Sequence, residues 1–378
     1  MDNNLRDSLK TQILSIGLDK SAGDTNQARF DELALAVFAF QYKYNAFYRR
    51  YCSLIGKEFS SVSKISDIPF LPIQFFKNQE IKTGEWIPEA VFSSSGTTGT
   101  TTSQHFCRDI YFYKQIARQG FEQFYGQIDN FCVLGLLPSY LERSGSSLIA
   151  MVDDFIQISK HPKSGFFLNE HAELTDILRG QRNAHLPTLL IGVSFGLLDF
   201  IEDYTTKPTD SAHEKSEKVV DFSDKARKIN HSSLTRASEK LSIYDSGLIV
   251  METGGMKGRR REMIRTELHE LMSEGFGVST IHSEYGMTEL FSQAYSKRNG
   301  IFEPTSTLSV FSREINDPLS IQPKNGKLGI LNIIDLGNLD TCSFIATDDL
   351  GRVCEDGSFE VLGRLDNSDM RGCNLLIV

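Results

Sequence analysis

The sequence predicts an α/β fold with a mainly parallel sheet, followed towards the C-terminus by antiparallel strands. Two apolar runs, residues 131–137 (FCVLGLL) and 188–195 (TLLIGVSF), predict buried strands, and each is followed by a turn and a helical stretch. This alternation is typical of a parallel sheet with helices on its faces. Over residues 327–365 the pattern changes to short strands and turns (GILNIIDLG, SFIATDDLG, SFEVLGRLD), which is typical of an antiparallel sheet.

Helices and an extended segment are expected in the first third of the chain. Apolar and aromatic residues recur at helical spacing from Asp31 to Ile55, which predicts one long amphipathic helix with Asp31 as its N-cap. Residues 66–81 (SDIPFLPIQFFKNQEI) contain two prolines among apolar residues and predict extended chain against a core. A further helix is expected from Asp109 to about Phe124.

The elements beyond residue 200 would complete one large α/β domain, which 378 residues can form. Residues 203–240 are rich in Lys, Glu, Asp, Ser and Thr, which predicts a solvated insertion. A strand is then expected at residues 241–252 and a helix from about Arg260 to Ser273. The run STIHSEYGMTEL follows at residues 279–290.

Composition narrows the class of protein. Apolar residues make up 40% and charged residues 24% of the chain, the balance of a soluble globular protein. The net charge of -9 argues against a broad nucleic-acid surface, which needs clustered Lys and Arg. The N-terminus lacks the apolar core of a signal peptide, and the most apolar stretch, residues 186–201, is broken by one proline and two glycines. We therefore expect neither a nucleic-acid partner nor a membrane span.

The cysteines indicate a compartment. The six cysteines form no CxxC pair and show no Cys/His zinc spacing. This pattern predicts free thiols in a reducing cytoplasm and no structural metal.

The first motif is residues 93–103 (SSSGTTGTTTS), which are all Ser, Thr or Gly. Such a loop offers backbone N–H donors and hydroxyls to a phosphate. It is not a Walker A loop, because no Gly-Lys-Ser/Thr ends it. A Ser/Thr/Gly run alone is more often a flexible linker, but this one lies between the strand-like AVF and the helix that is expected near Asp109.

Two further motifs combine carboxylates with turn residues. Residues 284–289 (EYGMTE) place a tyrosine, a hydroxyl and a carboxylate close together, which could stack a base, bind a phosphate and hold Mg²⁺. Residues 348–351 (DDLG) and 363–366 (GRLD) offer a carboxylate that suits a ribose and an arginine that suits a phosphate. Each motif alone could also be a surface turn.

The order of these motifs is more specific than any one of them, because the sequence resembles the adenylate-forming superfamily of acyl-CoA synthetases, luciferases and peptide-synthetase adenylation domains. SSSGTTGT is similar to the phosphate loop of that superfamily, METGGM to its adenine-side loop, EYGMTE to its aromatic-Gly-x-Thr-Glu motif, TDDLG to its ribose motif and GRLDN to its hinge motif. The resemblance extends from about Ile68 to the C-terminus. It implies a large N-terminal α/β domain with mixed and parallel sheets flanked by helices, and ATP and Mg²⁺ as cofactors.

The resemblance also implies a role for each motif residue. Thr288 would contact the α-phosphate, Glu289 would hold Mg²⁺ and Tyr285 would stack on the adenine. Asp349 would bind the ribose hydroxyls, with Arg364 nearby. The remaining residues would line the ATP phosphates (Ser94, Ser95, Gly96, Thr97, Thr98 and Gly99) and the adenine (Gly254 and Gly255).

Two departures from the superfamily pattern modify this expectation. The lysine that commonly ends the phosphate loop is absent from the corresponding stretch TTTSQHF. The chain ends twelve residues after Asp366, so we expect the usual swinging C-terminal domain, with its catalytic lysine, to be lacking. The expected organisation is an adenylate-forming domain over residues 1–365 and a C-terminal tail over residues 366–378.

Cys373 lies on that tail. The tail, the run IPFLPIQFFKNQEI and the total length are similar to the acyl-protein synthetase subunit of bacterial bioluminescence fatty-acid reductase complexes. In that family the acyl group of the adenylate moves to a cysteine near the C-terminus and then to a reductase subunit, and Cys373 is the matching position. The resemblance therefore implies a fatty-acid substrate and an acyl-reductase partner. The alternative is a buried structural cysteine.

Other functions stay open from the sequence alone. The chain could be an acyl-CoA or acyl-carrier ligase of the same superfamily, or an inactive scaffold subunit. It could also be a serine acyl hydrolase, because residues 192–196 (GVSFG) match the nucleophile elbow and follow an apolar strand. Ser194 would then be the nucleophile, with His231, His269 or His282 as its base.

Two histidines lie beside the proposed nucleotide motifs. His105 follows the Ser/Thr/Gly loop and His282 precedes EYGMTE. A lone histidine is more often a structural hydrogen-bonding residue than a catalyst, so neither is assigned a role.

Overall fold

The computed structural model describes residues 1–16, 24–94, 102–137, 145–181, 187–206, 247–254 and 263–365. Within these ranges the helices are α1 (Asn3–Ile16), α2 (Asp24–Tyr44), α3 (Ala46–Leu54), α4 (Phe75–Asn78), α5 (Ile110–Tyr125), α6 (Ser147–Ser159), α7 (His171–Gln181), α8 (Ser194–Thr206) and α9 (Arg265–Phe276). The strands are β1 (Leu71–Pro72), β2 (Ala90–Ser93), β3 (Gln104–Cys107), β4 (Cys132–Leu136), β5 (Gly165–Phe166), β6 (Thr188–Gly192), β7 (Leu248–Thr253), β8 (His282–Tyr285), β9 (Ala294–Ser296), β10 (Ile301–Pro304), β11 (Leu308–Arg313), β12 (Leu328–Asp335), β13 (Phe344–Val353) and β14 (Phe359–Arg364).

Twelve of the described strands form one mixed sheet, and β2 and β3 form a separate hairpin. The order of the large sheet is β11-β12-β13-β14-β10-β9-β8-β7-β6-β4-β5, and β1 pairs with β13. The strands from β5 to β8 along this order are parallel, whereas the strands from β8 to β11 are antiparallel. The predicted combination of parallel and antiparallel strands is therefore present.

The parallel half is covered on both faces, as its continuous apolar strands require. On one face, Phe200 of α8 stacks on Phe276 of α9, with ring centroids 5.9 Å apart. On the other face, Phe121 of α5 packs against Phe155 of α6 at 5.2 Å. The carboxyl ends of the parallel strands β6, β7 and β8 consequently lie side by side at one edge of the sheet, where ligands commonly bind in α/β folds.

The N-terminal helices cover the antiparallel half. Tyr48 of α3 stacks on Phe344 of β13, with ring centroids 5.8 Å apart. Arg6 of α1 donates through Nε to Oδ1 of Asp340 at 2.8 Å and through its terminal nitrogen to Oδ2 at 2.5 Å. A bidentate arginine–carboxylate pair fixes orientation as well as distance, so it holds α1 against the chain that enters β13.

The single helix predicted from Asp31 to Ile55 is wrong. The structure has two helices, because the side chain of Asn45 accepts a hydrogen bond from the backbone N–H of Tyr48 at 2.9 Å and caps α3. The first of the two helices, α2, also begins earlier, at Asp24. An N-cap inside an apolar periodic run divides a helix without interrupting its buried stripe.

Residues 66–81 are only partly extended. Leu71 and Pro72 pair in parallel with β13, as expected for chain lying against a core. Phe75–Asn78, however, form the short helix α4.

Other predicted boundaries differ by a few residues. The helix predicted from Asp109 to about Phe124 is α5, which runs from Ile110 to Tyr125, and Asp109 caps it by accepting from the N–H of Phe112. The strand predicted at residues 188–195 ends at Gly192, and α8 begins at Ser194. The helix predicted from Arg260 to Ser273 is α9, which begins at Arg265 and ends at Phe276.

Part of the expected organisation lies beyond the described ranges. The insertion predicted at residues 203–240 is described only as far as Thr206, where α8 ends. The tail over residues 366–378 lies outside the described residues altogether. Among the helices that are described, none is long and apolar enough to cross a membrane.

Candidate active site

The Ser/Thr/Gly loop joins the two strands of the β2–β3 hairpin. The sequence predicted a helix after this loop and missed β3. At the base of the loop, the backbone N–H of Ser94 donates to the carbonyl of Ser103, and the N–H of Ser103 donates to the hydroxyl of Ser94 at 3.0 Å. The hairpin therefore fixes both ends of the predicted phosphate loop, while Ser95, Gly96, Thr97, Thr98 and Gly99 lie outside the described residues.

Tyr285, Asp349 and Arg364 meet next to this hairpin. The hydroxyl of Tyr285 donates to Oδ2 of Asp349 at 2.7 Å, and Nε of Arg364 donates to Oδ1 of the same carboxylate at 3.3 Å. Burial and the charge of Asp349 raise the pKa of Tyr285 well above its usual value, so its hydroxyl stays a donor. The structure thus brings together three residues that the sequence placed at the nucleoside.

Strand β13 distinguishes the two aspartates of the TDDLG run. Asp349 faces Tyr285, whereas Asp348 accepts from the side-chain amide of Gln74 at 2.6 Å. Successive side chains of a strand point to opposite faces, so only one of the pair can belong to the site.

Glu289 is buried beside the base of the hairpin. Burial raises the pKa of its carboxyl group, while a hydrogen bond with Ser103 and the charge of Arg364 act in the opposite direction. Glu289 thus lies between the phosphate-loop hairpin and the Asp349 cluster. Ser103, which the sequence had not assigned a role, is its direct partner.

His105 of β3 forms a hydrogen bond with the backbone of the EYGMTE run. Nδ1 lies 2.9 Å from the carbonyl of Thr288, and Nε2 lies 2.8 Å from the hydroxyl of Thr341. A carbonyl can only accept, so Nδ1 carries the proton and Nε2 accepts from Thr341. Burial lowers the pKa of His105 to about 4, which keeps the ring neutral. These contacts favour a structural role for His105.

Two further buried side chains fix the same run. The amide of Asn338 donates to the carbonyl of Glu289 at 2.8 Å. The carboxylate of Asp335 accepts from the backbone N–H groups of Phe291 and Ser292 at 2.7 and 2.9 Å. The backbone around Thr288 and Glu289 is therefore held in place before any ligand binds, which is the preorganisation that an electrostatic catalytic site needs.

Glu284 lies under the same loop. Its Oε2 accepts from the hydroxyl of Thr253 at 2.5 Å, and its Oε1 would lie 2.3 Å from a Cβ atom at position 286, which only Gly286 avoids. Burial raises the pKa of Glu284 to about 7, with the charge of Glu252 acting in the same direction and the Thr253 hydrogen bond opposing it.

The raised pKa of Glu284 predicts a pH dependence of stability. The folded state retains a proton at Glu284 that the unfolded chain releases above its ordinary pKa of 4.5, so this contribution is lost as the pH rises through about 7. In urea titrations between pH 4.5 and 7.5, the free energy of unfolding of the wild type should fall relative to Glu284→Gln, by up to about 3 kcal/mol. Parallel pH curves for the two proteins would contradict the assignment.

Ser194 does not form a hydrolase triad with any described histidine. Its hydroxyl contacts Oε2 of Glu252 at 2.9 Å, and His269 lies on the far side of that carboxylate, with Nε2 3.5 Å from Oε1. In a serine hydrolase the histidine stands between the serine and the acid, because it must accept the proton of the nucleophile. Here the acid, Glu252, lies between Ser194 and His269 instead, and Ser194 is only 1% exposed. His231 lies outside the described residues, and His282 instead contacts the hydroxyl of Tyr125 at 3.1 Å.

Comparisons with known proteins give a family match over part of the chain and similar solved structures. Residues 10–117 match the family model described as acyl-protein synthetase, LuxE. No curated protein is significantly similar in sequence. A solved 2-hydroxyisobutyryl-CoA ligase in complex with 2-HIB-AMP is similar with a TM-score of 0.56 and 12% identity, over 89% of this chain and 68% of that one.

The chain has the fold of that ligase. This confirms the predicted α/β fold class with parallel and antiparallel strands, while the expected lack of a swinging C-terminal domain stays a prediction. A long-chain-fatty-acid-CoA ligase from Archaeoglobus fulgidus is 12% identical over 73% of this chain and 51% of its own length, with a TM-score of 0.45. O-succinylbenzoate coenzyme A synthetase from Bacillus subtilis is 15% identical over 75% and 64%, with a TM-score of 0.41.

The remaining predicted site residues are Gly254, Gly255 and Cys373. Gly254 is described and has a φ of +77°, a left-handed conformation that favours glycine, at the end of β7. Gly255 and Cys373 lie outside the described residues. Their predicted roles stay predictions.

Proposed function

We propose that the protein activates a fatty acid with ATP and Mg²⁺ to form acyl-AMP, and then passes the acyl group to Cys373 and on to an acyl-reductase partner in the cytoplasm. The observation that carries the first step is the Asp349 carboxylate held by Tyr285 and Arg364 beside Glu289. A carboxylate next to a neutral aromatic hydroxyl and an arginine suits the hydroxyls of a ribose and the charge of a phosphate.

In the first step, an oxygen of the fatty-acid carboxylate attacks the α-phosphorus of ATP, and the bond from phosphorus to pyrophosphate breaks. Two anions must be brought together, so alignment and charge compensation dominate the barrier. In this proposal the hydroxyl of Thr288 donates to the α-phosphate, and His105 supports Thr288 by holding its backbone carbonyl. Arg364, whose side chain is partly exposed, is available to a phosphate.

The residues around Glu289 fit a metal that arrives with the nucleotide. Among the described residues, no set of three His, Cys, Asp or Glu side chains could hold a metal ion by itself. Mg²⁺ commonly binds through one or two carboxylates together with substrate phosphates and water. Glu289 with the Ser103 hydroxyl offers this kind of partial site, and the ion would supply charge compensation for the phosphates.

In the second step, the thiolate of Cys373 attacks the carbonyl carbon of acyl-AMP, and the bond to the AMP oxygen breaks as AMP leaves. Four of the other five cysteines are buried, which supports this choice. Burial raises the pKa of Cys52 and of Cys107 to about 12 and that of Cys132 to about 11, and it also raises the pKa of Cys342. A thiol with such a pKa supplies little thiolate at neutral pH.

A ligase that forms an acyl-CoA or acyl-carrier thioester would share the first step, and the two functions differ in the acceptor. Carboxylic acids of increasing chain length would be screened for ATP–pyrophosphate exchange, followed by intact mass measurement with and without coenzyme A. The proposal expects exchange with a fatty acid and one added acyl group on the protein. Exchange with rapid acylation of coenzyme A and an unmodified protein would favour the alternative.

Asp349→Ala should weaken ATP binding far more than fatty-acid binding. The substitution removes the proposed ribose contact, on the order of 1 to 3 kcal/mol, equivalent to about 5- to 150-fold in Kd, and leaves the acyl side of the site unchanged. Isothermal titration calorimetry with each ligand measures this. Asp348→Ala is the matched control, because it removes the neighbouring carboxylate that contacts Gln74 instead. Equal weakening of both ligands in a folded Asp349→Ala protein would show that Asp349 is structural.

A further inference from the structure

Ser194 and Glu252 form a buried cluster that the proposed chemistry does not use. Ser194 begins α8 directly after β6, and Glu252 lies on the neighbouring strand β7, opposite Gly192 in the sheet register. The hydroxyl of Ser194 lies 2.9 Å from Oε2 of Glu252 and 2.5 Å from the carbonyl of Gly254. The GVSFG turn, which resembles a nucleophile elbow, therefore reaches across to the loop that follows β7.

Glu252 is held from a second side by α9 and β8. Nε2 of His269 lies 3.5 Å and Nε of Arg265 3.9 Å from Oε1, and Ser283 contacts His269 at 3.3 Å. Burial by itself would raise the pKa of Glu252, but these groups and Ser194 together lower it, so the carboxylate is charged. A buried carboxylate with several donors is a rigid anchor for a hydroxyl.

The backbone at Gly254 requires a contact of this kind to hold its conformation. Gly254 has a φ of +77°, and a glycine backbone has little conformational preference of its own. A carboxylate and a carbonyl can only accept, so the single hydroxyl proton of Ser194 is shared between Oε2 of Glu252 and the carbonyl of Gly254. On the other side of the sheet, Thr253 donates to Glu284. Hydrogen bonds on both faces of the sheet thus hold the consecutive residues 252–254.

We propose that Ser194, anchored on Glu252, is a positioning residue for ATP: its hydroxyl fixes the carbonyl of Gly254 and so the backbone on which the adenine rests. This inference depends on the proposed function and on the expected role of Gly254 beside the adenine. The elbow motif then serves nucleotide binding, and Ser194 does not act as a nucleophile.

Ser194→Ala in the full-length protein should raise the Kd and the KM for ATP about tenfold, the effect of losing one buried hydrogen bond. The KM for the fatty acid and kcat should stay within about twofold of wild type. Ser159→Ala is the matched control, because it removes a buried hydroxyl that donates to the carbonyl of Phe131 at 2.6 Å, before the start of β4. It should lower the melting temperature without changing the Kd for ATP.

Ser194→Cys keeps the size of the side chain with a weaker donor, and it should raise the Kd for ATP to a smaller extent, about threefold. It serves as the test if the alanine variant does not fold. An unchanged Kd for ATP in either folded variant overturns the inference while leaving the proposed function standing. A wild-type protein that does not bind ATP overturns both the inference and the proposed function. A wild-type protein that binds ATP without forming acyl-AMP still allows the Kd values of the variants to be compared.

Discussion

Cys373→Ser is expected to retain acyl-AMP formation and to lose all acyl transfer to the protein. A serine hydroxyl is almost wholly protonated at neutral pH and is a far weaker nucleophile than a thiolate, so the second step should stop while the first continues. After incubation with ATP, Mg²⁺ and a fatty acid, intact mass should show one acyl group on the wild type that hydroxylamine removes, and none on the variant. ATP–pyrophosphate exchange should be equal in the two proteins.

Cys354→Ser is the matched control for that experiment. Cys354 is the one described cysteine that is partly exposed, so it is the competing acceptor on grounds of access. Its replacement should leave the thioester intact. Peptide mapping that finds the acyl group on Cys354, or on any other cysteine, would remove Cys373 from the mechanism without affecting the first step.

Glu289→Gln is expected to lower acyl-AMP formation about 10²-fold or more. The change keeps the size of the side chain and a hydrogen-bond acceptor for Ser103, but it removes the charge proposed to hold Mg²⁺ beside the phosphates. Loss of a well-placed electrostatic contact at the reacting centre typically has an effect of this size. Exchange rates measured over a range of Mg²⁺ concentrations should show that the variant needs more Mg²⁺ than the wild type.

Glu284→Gln provides the comparison within the same run of residues. Its carboxyl contacts Thr253, not Ser103, so the rate should fall much less than in Glu289→Gln. Wild-type exchange by Glu289→Gln at limiting Mg²⁺ would exclude Glu289 from the metal site.

Much of the fold was predictable because its parallel strands are buried on both faces. Such strands are continuous apolar runs, and β4 and β6 were found by that pattern. The errors occurred where one polar contact overrides periodicity. Asn45 divides an apolar stripe by capping α3, and this depends on a hydrogen bond that the spacing of apolar residues does not contain. The short strand β3 was missed because its partner, β2, lies across a polar loop.

The sequence by itself determined the candidate nucleotide-binding residues, since Tyr285, Glu289, Asp349 and Arg364 lie in ordered motifs. Only the tertiary structure decided how these residues are held. Ser103 and His105 come from a hairpin about 180 residues away along the chain from Glu289 and Thr288, and Ser194, just after β6, contacts Glu252 on the neighbouring strand β7. Contacts between distant segments leave no periodic signal in one sequence, because each side chain is set by its partner and not by its neighbours. For that reason Ser194 resembled a nucleophile in the sequence, whereas in the fold it is a buried hydrogen-bond donor.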